Sequence, residues 1–353
     1  MITIGVDAHK QVHVGLALDN AGRELGHWRG PNSALGWQEF AQWASAFGAE
    51  CRVGIEGAWG YGRGLAQHLV GQGGAVYEVN ARWTAIGRRS ARKPDKTDRL
   101  DARAVALFLH REAADLPAII AEDETAILDL LATERESAIS EATRLRNQIH
   151  ALLLQLDPEY QRDMPAMKSQ AGLAKLRAYT ALDEKPLSRE RAAAVRRLAE
   201  RLELALTQAD ALAGRIRAEA AVRFAPLTKL CGVNLLTAGT LAGILGPGRR
   251  FAGDAALAAY AGASPLEASS AGHTRHRLNR GGNRRLNAIL YRIALTQAHY
   301  SDEARAYLAR RIGEGKTRRE AVRALKRYLI RAIWRLWMEC YPVPEVLPER
   351  SAA

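Results

Sequence analysis

Apolar residues alternate or cluster over strand lengths at the start of the chain. The segments 2–7, 11–18 and 23–28 show this pattern, with polar turns between them. They predict a three-stranded meander. Helical and strand patterns then follow in turn, at 34–47 (helix), 51–56 (strand), 61–72 (helix) and 75–79 (strand). Hairpins followed by strand-helix alternation predict a mixed sheet with helices on its faces.

The middle of the chain has helical spacing. Pro94 ends the element that precedes it, and Thr97 can cap a helix that runs from Asp98. Two long segments rich in Ala, Leu, Glu and Arg, 123–156 and 186–222, predict an antiparallel coiled pair with irregular sequence between them. Such an arm can set a spacing or support dimerisation.

The last module is predicted to be mainly helical. Helices are expected on both sides of a Gly-Val-Asn turn at 232–234, and a polar, Gly-rich loop interrupts the helices that follow. The predicted fold class is therefore α/β plus α, and the predicted domains are a mixed-sheet domain at 1–118, a helical arm at 119–222 and a C-terminal module at 223–345. Further helices are predicted at 250–261, 284–300 and 316–341.

Positive charge is concentrated near the C-terminus. Between Arg223 and Cys340 there are 21 Lys and Arg but 7 Asp and Glu, whereas the whole chain carries a net charge of +13. An excess on one module is typical of proteins that bind phosphate backbones, although a membrane surface or RNA would be attracted equally.

The sequence disfavours a membrane or secreted protein and a protein stabilised by disulfides or zinc. We find no apolar run of about 18 residues and no signal-peptide pattern, so a soluble cytoplasmic protein without a membrane partner is expected. The 3 cysteines are isolated in sequence, which argues against a disulfide framework and a zinc site.

Four carboxylates are candidate metal ligands. Asp7 ends the first strand, and Glu56 ends the strand expected beside it; Asp98 and Asp101 share one face of the following helix. Oxygen ligands suit Mg²⁺ or Mn²⁺, and two such ions can hold the attacking and leaving oxygens of a phosphodiester. Any one of these acids alone is more often a turn or capping residue, but the four together favour a metal-dependent enzyme.

Basic residues near these acids have two interpretations. His9 and Lys10 could contact a phosphate, although a solvated hairpin turn is the more frequent explanation. Lys93, Lys96 and Arg99 could guide a nucleic-acid backbone, and a solvated loop explains them equally well.

The polar loop is the second candidate site. Between Ser270 and Arg292 there are six arginines and no acidic residue, and glycines allow a backbone to approach a phosphate. Ser269 or Ser270 could act as a nucleophile, with His273 and His276 as nearby bases, although such serines are more often turn residues. The predicted nucleic-acid contacts are Arg275, Arg277, Arg280, Arg284 and Arg285.

Two other features remain open from the residues alone. The Gly232-Val233-Asn234 turn could present backbone amides to a phosphate or could simply join two helices. Trp334 and Trp337 are more often core residues than platforms for bases.

The motifs GVDAHK, VGIEG, KTDRLDA, GVNLLTAGTLAGILG, YAGASPLEASSAG and HRLNRGGNRRLN occur in one order along the chain. In this order the sequence resembles the DEDD-type transposases of the one-ten family of bacterial insertion sequences. The resemblance implies an RNase-H-like, RuvC-like domain with Asp7, Glu56, Asp98 and Asp101 as its catalytic carboxylates. It also implies a serine nucleophile in the C-terminal domain. Family members have Ser-Ser-Gly where this chain has Ser269-Ser270-Ala271-Gly272; the register favours Ser270, and Ser269 is the alternative.

The resemblance also implies a mechanism and partners. Members look like recombinases that join donor and target DNA through a structured guide RNA, or bridge RNA, encoded by the element. Two subunits would build a composite site, with the carboxylates from one and the serine from the other, in a dimer or a dimer of dimers. The remaining alternatives are a RuvC-like nuclease that hydrolyses branched DNA and a non-catalytic nucleic-acid-binding protein.

Overall fold

The computed structural model describes residues 2–48, 50–81, 97–248, 250–264, 266–267, 276–277 and 281–341. Contacts between residues divide it into two compact units. The first is formed by Met1–Asp123, Pro226–Val233 and Ile244–Ala353, and the second by Glu124–Ala225 and Asn234–Gly243. The three domain boundaries expected from the sequence stay a prediction.

The strands form a five-stranded mixed sheet and a short hairpin. In the sheet the order is β3-β2-β1-β4-β5; β1 pairs with β2 and β2 with β3 in antiparallel fashion, whereas β1-β4 and β4-β5 are parallel. This confirms the predicted meander followed by strand-helix alternation. The strands are β1 (Ile2–Ala8), β2 (Val12–Leu18), β3 (Glu24–Pro31), β4 (Cys51–Glu56), β5 (Ala75–Val79), β6 (Leu266–Glu267) and β7 (His276–Arg277).

Most of the rest of the described chain is helical, as expected. Two short 3₁₀ helices, Tyr160–Arg162 and Ala225–Lys229, accompany the α-helices. The α-helices are α1 (Ala34–Ser45), α2 (Arg63–Gly71), α3 (Asp98–Glu112), α4 (Glu124–Leu156), α5 (Gln170–Arg177), α6 (Pro186–Arg223), α7 (Leu235–Leu245), α8 (Asp254–Tyr260), α9 (Arg284–Tyr300), α10 (Asp302–Gly313) and α11 (Arg318–Cys340).

The sheet of the first unit has a buried core on each face, which follows from the period of two along its strands. On one face Ile4, Val6 and Ile55 pack with Phe40 of α1 and Leu65 of α2. On the other face three β2 residues pack against α3 through Ala102 and Ala106. These β2 residues are Val14, Leu16 and Leu18.

Helix α3 lies very close to the centre of the sheet. A Cβ atom at Gly5 of β1 would stand 2.2 Å from both the Ala102 carbonyl oxygen and the Ala106 backbone nitrogen. At Gly54, the register partner of Gly5 on β4, a Cβ would lie 3.1 Å from Leu109 Cδ2. Small residues on this face therefore set the position of α3, and with it the position of the acids in its first turn.

This close approach gives a test of the packing. We expect Gly5→Ala to lower the free energy of unfolding of the first unit by about 1–3 kcal/mol or more, because overpacked cores must shift backbone. Chemical denaturation followed by circular dichroism measures it. Gly71→Ala is the matched control, since its Cβ would meet nothing within 4 Å. An unchanged stability in Gly5→Ala would contradict the packing of α3 on the sheet.

The second unit contains the predicted pair of long helices. Arg201 of α6 pairs with Glu141 of α4 at 3.1 Å, and Arg223 pairs with Glu124 at 2.7 Å. Because the start of α4 thus meets the end of α6, the two helices are antiparallel. The segment between them, expected to be irregular, contains α5, whose Leu173 and Leu176 join the core of the pair.

The C-terminal part differs from expectation at three places. The helix expected at 250–261 begins at Asp254, because Gly253 before it is extended (φ 176°). Helix α10 lies between the two helices that were expected there. The polar loop contains a hairpin of two paired strands, β6 and β7, each two residues long. Trp337 is buried and donates a hydrogen bond from Nε1 to the Gly248 carbonyl at 3.0 Å, which confirms its interpretation as a core residue.

Candidate active site

Two of the predicted acids are neighbours at one edge of the sheet. Asp7 and Glu56 are register partners on the parallel strands β1 and β4, near the carboxyl ends of both. Residues in register point to the same face, and Gly5 and Gly54, two residues earlier, face α3. Both carboxylates therefore face the beginning of α3.

The other two acids lie in the first turn of that helix. Thr97 caps α3, as predicted, and its Oγ1 accepts a hydrogen bond from the Leu100 backbone N–H at 3.3 Å. Asp101 is buried, while the Asp98 side chain is about half exposed (47%). The structure thus brings together all four acids that the sequence singled out.

The electrostatics of Asp7 reflect this crowding. The pKa of Asp7 is raised from 3.8 to about 6, mainly because the residue is buried. The charge of His9 opposes this rise, and the charges of Asp101, Glu56 and Asp98 add to it. Acidic groups with a raised pKa in a cluster of like charge mark functional sites. A divalent cation would relieve both the repulsion and the cost of burying these charges.

His9 belongs to the same cluster. Its Nε2 lies 3.1 Å from Asp7 Oδ2 and 3.6 Å from Asp98 Oδ1. Donor atoms of Asp7, His9 and Asp98 all lie within 4.8 Å of one another, close enough for one ion to bind all three. Carboxylate oxygens and an imidazole nitrogen fit a divalent cation, so the residues present suit the metal expected from the sequence.

The neighbouring basic residues behave differently from one another. Lys10 is exposed in the turn after β1. Arg99 donates from Nη2 to Glu24 of β3 at 2.5 Å, and a role in guiding a nucleic acid stays a prediction. Lys93 and Lys96 lie outside the described residues.

The serine loop is described only in part. Ser269, Ser270, His273, Arg275 and Arg280 lie outside the described residues. His276 and Arg277 are described as the backbone of β7, which pairs with Leu266 and Glu267. The chain segment that carries both serines therefore joins two paired strands. Arg284 is exposed and Arg285 is half-buried in the first turn of α9.

The end of this loop is anchored to α8. Asn283 caps α9, with Oδ1 accepting from the Leu286 backbone N–H at 3.0 Å, and its Nδ2 donates to the Tyr260 hydroxyl at 3.0 Å. A Cβ at Gly282 would stand 2.1 Å from the Gly262 backbone nitrogen. Glycine is thus required here because two backbone segments touch.

The pattern of the sequence did not single out Arg250. This residue is 3% exposed, and its Nη1 lies 3.3 Å from Glu78 Oε2 on β5. The guanidinium carbon lies 5.4 Å from the ring centroid of Trp59 and 4.9 Å from that of Tyr260. Burial raises the pKa of Tyr260, with Glu78 adding to the effect. Arg250 therefore links the sheet to the helix that anchors the serine loop.

The turn at 232–234 and Trp334 are the two remaining features that the sequence left open. Gly232 has a left-handed φ of 87°, as a tight turn requires, and Asn234 Oδ1 accepts from the Thr237 backbone N–H at 2.9 Å, which caps α7. The turn is thus confirmed, and a role in holding DNA stays a prediction. Trp334 is half-buried.

Comparisons with known proteins agree with the resemblance in the motifs. A family model described as a DEDD transposase of IS110 matches residues 4–158, and a second, described as transposase of the IS116/IS110/IS902 family, matches residues 225–309. A protein of Streptomyces coelicolor (strain ATCC BAA-471 / A3(2) / M145), named insertion element IS110 uncharacterized 43.6 kDa protein, is 28% identical over 380 residues. The alignment covers 94% of this chain and 93% of that protein.

Among the described residues, no helix is long and apolar enough to cross a membrane.

Proposed function

The chain belongs to the IS110 family of transposases, which are DNA-cleaving and recombining enzymes, and we propose that it moves an insertion sequence by metal-dependent strand exchange. The observation that carries the proposal is the convergence of Asp7, Glu56, Asp98 and Asp101 at one edge of the sheet. DNA is the substrate that a transposase implies. We assign the sheet to the RNase-H-like, RuvC-like class, because three antiparallel strands followed by two parallel ones in the order β3-β2-β1-β4-β5 support it.

The four carboxylates would hold the divalent metal that this family typically uses. We propose Mg²⁺ or Mn²⁺, as two ions, which when bound would stabilise the charge that develops on phosphate oxygens. The protein's own contribution is to fix the ligands. Parallel pairing holds Asp7 beside Glu56, and the capped first turn of α3 holds Asp98 and Asp101 over them.

We propose that Ser270 is the nucleophile, with Ser269 as the alternative. Its Oγ would bond to the phosphorus, the DNA oxygen on the other side would leave as a hydroxyl, and the strand would stay on the protein as a phosphoserine ester. A hydroxyl of a second strand would then displace the serine and complete the exchange. What supports this role is the position of Ser269-Ser270-Ala271-Gly272 relative to the HRLNRGGNRRLN motif.

Oligomers and RNA complete the proposal. The antiparallel pair of 33-residue α4 and 38-residue α6 would act as a coiled-coil arm for a dimer or a dimer of dimers. The carboxylates of one subunit would then meet the serine of another. A guide RNA encoded by the element would pair with the donor and target DNA.

The RNA component can be tested directly. We expect that the protein, purified from cells that carry its flanking DNA, brings with it one structured RNA transcribed from that DNA. Sequencing of the bound RNA measures this. Cells that carry the gene with unrelated flanks are the control. A mixture of cellular RNAs that is the same in both preparations would contradict the proposal of a guide RNA.

The salt dependence of binding tests the basic loop. If arginines there contact phosphates, the slope of log affinity against log salt should flatten by about one unit for each arginine removed. The changes are Arg275→Gln, Arg277→Gln, Arg280→Gln, Arg284→Gln and Arg285→Gln. Arg162→Gln is the matched control, because Arg162 is exposed and pairs with Glu159 in the arm. An unchanged slope would place the phosphate contacts on other residues.

A further inference from the structure

His9 is the one member of the acidic cluster that the four-carboxylate scheme leaves without a role. It lies in the turn between β1 and β2, where its backbone N–H donates to the Val12 carbonyl at 3.1 Å. This bond fixes the backbone of the turn two residues after Asp7. The imidazole is directed to the acids, since Nε2 contacts both Asp7 and Asp98.

We propose that His9 is a ligand of the divalent ion held by Asp7 and Asp98, and that it makes this position prefer Mn²⁺ to Mg²⁺. The inference rests on the proposed function, because it concerns the metal of that same site. It adds a nitrogen donor to a set that otherwise contains oxygen alone.

The distances agree with one coordination sphere. Adjacent ligands of an octahedral ion with bonds of about 2.1 Å lie about 3 Å apart, and opposite ones about 4.2 Å apart. His9 Nε2 is 3.1 Å from Asp7 Oδ2 and 3.6 Å from Asp98 Oδ1, and the three donors lie within 4.8 Å of one another.

The chemistry of the donors gives the metal preference. Mg²⁺ is a hard cation that takes oxygen ligands and keeps much of its water, whereas imidazole binds the divalent transition metals more readily. Replacing one oxygen by the His9 nitrogen therefore favours Mn²⁺ in the competition for this position.

The same contacts have another explanation, in which a protonated His9 is only a counter-ion for Asp7. The structure offers a matched comparison, because His27 Nδ1 lies 3.9 Å from Glu24 Oε1 on β3. The two histidines have similarly exposed side chains, 52% and 57%. His27 thus pairs with a carboxylate without belonging to the described acidic cluster.

The experiment is a titration of the full-length protein with Mn²⁺, followed by electron paramagnetic resonance. Pulsed spectra would detect a nitrogen bound to the ion, and incorporation of ¹⁵N-histidine would identify it as histidine. We expect this coupling in the wild type and in His27→Gln, and its loss in His9→Gln. The affinity for Mn²⁺ should fall about tenfold or more in His9→Gln, while that for Mg²⁺ changes less than about threefold.

Measuring Mn²⁺ binding to a further variant, Asp7→Asn, distinguishes an error in the role of His9 from an error in the metal site itself. If Mn²⁺ binding depends on Asp7 but shows no histidine nitrogen, the inference about His9 is wrong and the metal site stands. The inference is equally overturned if the nitrogen coupling survives in His9→Gln. If Mn²⁺ binds equally well to Asp7→Asn, the proposed metal site itself is wrong. Circular dichroism of each variant establishes that the changes do not arise from unfolding.

Discussion

Asp7→Asn and Asp7→Ala are expected to lower the rate of strand exchange by about 1000-fold or more, while DNA affinity changes less than about threefold. The carboxylate is required for metal binding, whereas affinity for DNA comes mainly from the basic C-terminal module. Strand exchange on labelled DNA and equilibrium binding at fixed salt measure the two effects. Glu56→Ala and Asp101→Ala should behave in the same way. Asp115→Asn, a change at an exposed acid after α3, is the matched control.

Stability distinguishes a ligand from a structural acid. Because the pKa of Asp7 is raised to about 6 in the folded protein, its ionised form destabilises the metal-free fold. This destabilisation is fully present above about pH 6 and is lost as the pH falls toward the ordinary carboxyl value of 3.8. Asp7→Asn should therefore raise the free energy of unfolding of the metal-free protein at pH 8 and leave it nearly unchanged at pH 4. Loss of folding in this variant would mean that Asp7 stabilises the structure instead of binding metal.

The sheet and its acids could be predicted because their signals are local. Period-two alternation marks β1 and β2, and an apolar strand directly precedes each of Asp7 and Glu56. Parallel neighbours end at the same edge of a sheet, so the meeting of these two acids follows from the strand pattern. The cap at Thr97 likewise marks the start of α3 in the sequence.

Other features depend on contacts between distant parts of the chain. In α10 the structure buries Ala304 and Leu308, which is too little apolar surface to give a clear helical period. Arg250 lies in a basic module, so its sequence context suggests a phosphate contact. Its actual partner is Glu78, 172 residues away, and this pairing emerges only when the sheet and α8 are packed together.

His9 shows the same limit inside the candidate site. A histidine in a turn after a strand is usually solvated, and the sequence favoured that interpretation. The structure places its ring between Asp7 and Asp98 because the hairpin turn and the capped start of α3 lie over the same edge of the sheet. The interaction of two local motifs, each predictable alone, creates a contact that neither motif predicts.

Ser270→Ala is expected to remove a covalent protein-DNA adduct entirely, whereas Ser269→Ala retains it. If the serine oxygen attacks phosphorus, cleavage must leave DNA attached to the protein. If instead a metal-activated water attacks, as in a RuvC-like nuclease, cleaved DNA is free. Denaturing electrophoresis of protein incubated with labelled DNA separates the two cases, and peptide mass spectrometry locates the attached residue.

The pair of serines makes each variant the control for the other. Both changes remove one hydroxyl from the same segment between β6 and β7, so a general disturbance of the loop would affect both variants alike. Loss of the adduct in Ser269→Ala alone would move the nucleophile by one residue, as the extra Ala271 allows. An adduct that persists in both variants and maps elsewhere would show that neither serine is the nucleophile. Cleavage without any adduct, in a protein that still requires Asp7, would identify the enzyme as a hydrolase that uses water.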